Sequence, residues 1–261
     1  FLGGLLLTSF GFNKAVEFMA IGLGVSFLLT LILPGDIGKM KSKPIFKDLF
    51  SKSQGINVLS FARFFLFGAR DVWFVVALPV FLETYLNWNF SEIGAFLGLW
   101  VIGYGFIQAF APSLRNLWGK KTSPGVSSVQ FWSAVLTAIP ALIAIALWRQ
   151  SNPEIAITVG LILFGFIFAM NSSIHSYMVL AYTDKENVSL NVGFYYMANA
   201  AGRLIGTLLS GVLFMLGTNA SIGMQLCLWC SSLFVLLSWL TSLSLPSLNN
   251  SDFFEKDSAQ A

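Results

Sequence analysis

Long apolar runs dominate this chain and leave few folds open to it. After a first stretch at 1–10, runs at about 14–33, 57–83, 92–113, 125–148, 155–182, 188–216 and 221–245 follow. Each is near or above the ~20 residues that carry an α-helix across ~30 Å of hydrocarbon. A transmembrane barrel would need alternating segments of ~10 residues, and the sequence has none. Only 10% of the residues are charged, against ~25% in a soluble domain. The expected fold is all-α, a polytopic transmembrane helical bundle with one partial and seven full spans whose partner is the lipid bilayer.

Turn-forming residues divide the runs. Pro34-Gly35 closes one span, Pro124-Gly125 and Asn152-Pro153 each open another, and Pro246 follows the last. Charge then orients the spans. Lys39, Lys41, Lys43, Lys47, Lys52, Arg115, Lys120, Lys121, Lys185 and Lys256 fall in one set of loops, and only Lys14 and Arg149 in the other. The positive-inside rule places the first set in the cytoplasm. The chain opens on Phe1, already in an apolar stretch, and reads as a piece lacking its N-terminal part. We therefore expect residues 1–33 to be the last two helices, the first partial, of an N-terminal half. Residues 34–56 would be a cytoplasmic linker, 57–246 a C-terminal six-helix half, and 247–261 a polar cytoplasmic tail.

Against that background the charged residues inside the spans stand out. Arg70 and Arg203 each fall near mid-span, at similar depth, where a charge costs at least ~2.5–3.5 kcal/mol. Arg63 lies two helical turns from Arg70 on the same face and closer to the cytoplasmic end. It could reach the interface from there or draw substrate in from the cytoplasm. Asp71 is the one acid clearly inside these spans, suited to orienting an arginine or to carrying a proton. Three arginines and one aspartate leave a positive interior that would suit a dianion, and a guanidinium fork matches phosphate, arsenate and carboxylate. The alternative is that these residues only pair with one another or with absent helices.

Other polar residues in the spans either line a cavity or join helices. Asn171 and His175, the only histidine, share a face, as do Tyr104 and Gln108, and Asn199 belongs to the Arg203 span. Gly94-x3-Gly98 and Gly202-x3-Gly206 have the spacing that lets helices approach closely. Cys227 and Cys230 have CxxC spacing without a second pair, so no metal site is expected. The sequence contains no HExxH, GxSxG, phosphate-binding loop or dinucleotide fingerprint, and neither an enzyme nor a cofactor is expected. The net charge of +3 sits in loops and does not suggest nucleic acid.

Three stretches, RFFLFGARDVWFVVALPVFL (63–82), GAFLGLWVIGYGFIQAFAPSL (94–114) and GFYYMANAAGRLIGTLLSG (193–211), resemble the organoarsenical efflux permeases of the major facilitator superfamily, the ArsJ type. The loop at 34–60 fits as well, and the resemblance covers most of 1–246. It implies secondary active export of 1-arseno-3-phosphoglycerate across the cell inner membrane, and so arsenate resistance. It also implies a working partnership with the glyceraldehyde-3-phosphate dehydrogenase that makes this compound. The competing readings are a proton-coupled exporter of another organic anion or drug, with Asp71 as carrier, and a membrane enzyme acting on lipid.

Overall fold

The computed structural model describes residues 2–32, 53–117, 125–183 and 188–247. The linker up to residue 52, the lysines at 39, 41, 43, 47, 52, 120, 121, 185 and 256, Pro34-Gly35, Pro124 and the tail beyond 247 lie outside them. The described chain is helical: α1 Leu2–Thr30, α2 Gln54–Phe74, α3 Ala77–Thr84, α4 Phe90–Leu117, α5 Val126–Trp148, α6 Pro153–Ala181, α7 Val188–Leu216 and α8 Ala220–Ser242. With α2 and α3 taken as one span, seven helices are long and apolar enough to cross a membrane. Several helix starts follow the expected punctuation. Gly125 is the N-cap of α5, and Asn152 caps α6 by accepting from the Ile155 N–H at 3.1 Å, with Pro153 in the first turn.

The structure departs from the sequence reading at two breaks. Residues expected as two spans, 1–10 and 14–33, form one helical element bent at Gly11, whose φ of 74° and ψ of 172° are open only to glycine. The bend brings Phe10 and Phe18 edge to face at 5.1 Å. The expected span 57–83 is two helices, broken at Val75-Val76. Pro79 accounts for this second break. Its ring clashes with the carbonyl four residues back, that of Val75, and it has no N–H to donate. The Ala77 N–H, freed from the ladder, donates instead to Ser210 Oγ on α7 at 3.0 Å. A polar group from a neighbouring helix satisfies the broken backbone, as the bilayer interior requires.

Helix α2 is the axis of the bundle, packed most extensively against α7 and α8. Its contact with α7 is a backbone-to-backbone approach. A Cβ added at Gly206 would stand 2.5 Å from the Gly68 carbonyl oxygen, and one at Gly202 would collide with the Phe64 carbonyl. On the other side, α8 is fastened by hydroxyls: Ser231 donates to the Ala69 carbonyl at 2.7 Å and Ser238 to the Ala62 carbonyl at 2.8 Å. Both pairs are seven residues apart and run in opposite directions, so one antiparallel register serves both. Apolar association is weak between helices in lipid, and close approach plus interhelical hydrogen bonds supply the adhesion. Around this axis α5 joins α8 to α6, α6 joins α4, and α1 rests on α4, with Gly4 against Phe90 and Gly94.

Candidate functional site

Helices α2 and α7 run parallel, since Phe64 and Gly68 meet Gly202 and Gly206 in the same order. Arg63 faces Tyr195, and Asp71 faces Arg203. These contacts are the same eight residues apart on each helix, about 12 Å along the axis.

At one end of this stripe Asp71 bridges two arginines. Arg70 Nε donates to Oδ1 at 2.6 Å and Arg203 Nε to Oδ2 at 2.9 Å. Asp71 is 1% exposed, the Arg70 side chain 14% and the Arg203 side chain 53%. Each guanidinium thus gives its inner N–H to the carboxylate. Among the described residues the terminal amino groups of both make no hydrogen bond. The trio carries a net positive charge near the middle of Gln54–Thr84 and Val188–Leu216. Two guanidiniums fixed by one carboxylate, with outward donors unused, can bind an oxyanion without first breaking the ion pairs.

At the other end Arg63 is 3% exposed. This differs from the expectation that its side chain reaches the interface. Its Nη1 turns to α6, donating to Ser172 Oγ at 3.1 Å and the Ser172 carbonyl at 3.3 Å. Its Cζ lies 3.9 Å from the centre of the Phe67 ring and 5.0 Å from that of Tyr195. Phe67 also takes Arg70, at 5.0 Å, and Phe168 of α6 takes Arg70 at 5.6 Å. An aromatic face attracts a cation without neutralising it, so Phe67 lets two like charges approach the same ring.

The remaining candidates are scattered around this core. Asn171 is buried and donates through Nδ2 to Ser133 Oγ on α5 at 2.9 Å, a helix-joining bond. His175 is buried, and neither ring nitrogen has a partner among the described residues. Asn199 is half-buried with Oδ1 unpartnered among them. Tyr104 stacks on Trp100 at 5.6 Å and meets Phe168 at 5.8 Å. With Trp100 it lines an apolar groove of about 270 Å³ between α4 and α6. Gln108 follows one turn on, half-buried. The structure therefore gathers Arg63, Arg70, Asp71 and Arg203 along the α2–α7 contact, with Asn199 on α7 itself. Tyr104 and Gln108 stand on α4, and Asn171 turns to α5. The sequence reading did not single out Phe67, Ser133 or Ser210; Pro79 was the available signal for the Ser210 contact. No group of three metal-ligating side chains occurs among the described residues.

No curated protein sequence matches this chain. The family comparison matches residues 59–259, most of the chain, to the Major Facilitator Superfamily, a family of secondary membrane transporters. With its all-helical fold, its membrane-length spans and this match, the chain is a multi-pass membrane protein that belongs to the Major Facilitator Superfamily.

Proposed function

We propose that the protein exports an organic dianion by alternating access, and that the substrate is the organoarsenical 1-arseno-3-phosphoglycerate. The observation that carries the anion reading is the Arg70–Asp71–Arg203 cluster, net positive, at mid-span, with unused terminal donors. Arg70 and Arg203 hold the anionic groups and Asp71 sets their geometry. Asn171, His175, Tyr104, Gln108 and Asn199 supply polar surface as the cavity opens. The arsenical identity rests on the resemblance of 63–82, 94–114 and 193–211 to ArsJ-type permeases. On this reading α2–α8 form the C-terminal six-helix half, and α1 ends an N-terminal half. The linker and tail face the cytoplasm of an inner-membrane protein, and a glyceraldehyde-3-phosphate dehydrogenase supplies the substrate.

The competing reading makes Asp71 a proton carrier for drug export. Both carboxylate oxygens of Asp71 are engaged by guanidinium N–H groups, which suits a role in holding the two arginines. The net positive cluster would also repel cationic drugs. The test is uptake into everted vesicles holding the intact transporter, with 1-arseno-3-phosphoglycerate as substrate and 3-phosphoglycerate and arsenite as controls. Accumulation of the arsenylated compound alone supports the proposal. Equal accumulation of 3-phosphoglycerate removes the arsenical specificity, and no accumulation of any anion removes the anion reading.

A further inference from the structure

Exposure falls steeply along the arginine stripe while the negative charge stays at its open end. Arg203 is half exposed, Arg70 largely covered and Arg63 buried, yet the only carboxylate in contact with any of them, among the described residues, is Asp71. Arg63 is thus a buried guanidinium with hydroxyl, carbonyl and aromatic neighbours but no acidic partner among the described residues. Burying such a charge costs several kcal/mol unless an opposite charge joins it.

The groups around Arg63 show what would join it. Its Nε–H has no acceptor among the described residues. Ser60, one turn back on α2, is buried with its hydroxyl unpartnered among the described residues. The contacts of Phe67 with Phe168 and of Arg63 with Ser172 put α2 and α6 in an antiparallel register, which brings His175 level with Ser60. Both ring nitrogens of His175 are buried and unpartnered among the described residues, and one of them bears a hydrogen in either tautomer. Arg63 and Ser60 on α2 and His175 on α6 therefore hold unused N–H and O–H donors in one buried layer, with the unpartnered Asn171 Oδ1 near it and no acid there among the described residues. Buried polar groups are almost always paired, and a layer of orphaned donors beside a cation points to an absent anion.

We infer that Arg63, Ser60 and His175 form a second, inner anion station, and that the two stations together select an anion charged at both ends. One charged end sits on Arg70 and Arg203, and the other is drawn past Phe67 to Arg63. Both guanidinium carbons face the same Phe67 ring, at 3.9 and 5.0 Å, so they lie within roughly 9 Å of each other. A short linker between the two charged ends can span that gap. This inference rests on the anion reading above and extends it to the shape of the substrate.

Calorimetric titration of the intact transporter with methylphosphonate and with bisphosphonates of one, three and eight methylenes separates the two ideas. We expect the three-methylene bisphosphonate to bind at least about tenfold tighter than methylphosphonate. The eight-methylene compound should lose most of that advantage. Arg63→Gln should shrink the ratio to about twofold, whereas Arg70→Gln should weaken both ligands together. His175→Leu, which keeps the arginine, should shrink the ratio partway. Binding of neither ligand class would overturn the anion reading itself. Binding of both with no dependence on linker length, or with a ratio that Arg63→Gln and His175→Leu leave intact, would overturn the inner station alone. The linker-length series needs no variant, so it decides the matter even if Arg63→Gln fails to fold.

Discussion

Replacing Asp71 with asparagine removes the one carboxylate that two arginines share. The amide keeps a single acceptor and turns donors toward the second guanidinium. Arg70, 14% exposed, is left as a mostly buried cation. Removing one partner of a buried pair costs ~3–5 kcal/mol, and the surviving acceptor argues for the lower end. Arg203 is 53% exposed, so solvent screens it and its share is at most ~1 kcal/mol. The expected loss is about 3 kcal/mol. At ~2–4 °C per kcal/mol for a chain of this size, that lowers the melting temperature by on the order of 10 °C. The assay is thermal unfolding of the purified protein in detergent, followed by tryptophan fluorescence. The second arm is Asp71→Asn combined with Arg70→Gln. It removes the stranded cation and should recover at least half of the loss, because neighbouring residues couple non-additively. A melting temperature unchanged by Asp71→Asn, or a double variant as unstable as the two single losses added, would refute the bridging geometry.

Other outcomes follow from the packing around the stripe. Gly206→Val should lower stability by ~1–3 kcal/mol, because its Cβ meets the Gly68 backbone, which cannot move aside; a melting curve checks it. The same substitution should weaken anion binding, since Arg203 lies one turn away on the displaced helix. Ser210→Ala strands the buried Ala77 N–H at the break between α2 and α3 and should cost ~1–3 kcal/mol, read by chemical unfolding in mixed micelles. Ser210→Asn, which retains an acceptor, should cost less if it fits.

Helix type was legible in the sequence because a bilayer admits few alternatives for long apolar runs, but the span count was not, since 1–10 and 14–33 form one bent element. The breaks were less so. The run 57–83 looked continuous by hydropathy, and Pro79 signalled the interruption only through the carbonyl it displaces at Val75. The depths of Arg70 and Arg203 could be counted along their helices, but depth says nothing about direction around the axis. That Arg203 meets Asp71 depends on α2 and α7 touching, and this contact exists because Gly202 and Gly206 lie on the backbone at Phe64 and Gly68. The spacing of the two glycines was visible in the sequence, and their partner was not. Arg63 shows the same limit: its position near a helix end suggested solvent, while packing against Phe67, Tyr195 and Ser172 turned it inward. Asn171 could have faced a cavity, and only the position of Ser133 on a different helix shows that it joins α6 to α5.

The most direct test of the anion clamp is arsenate resistance in cells carrying the intact transporter with Arg70→Ala or Arg203→Ala, membrane abundance being measured alongside. Each variant should reach the membrane at near-normal level and leave the cells as arsenate-sensitive as cells without the protein. Full resistance in both variants at normal abundance would contradict the claim that these guanidinium groups hold the substrate.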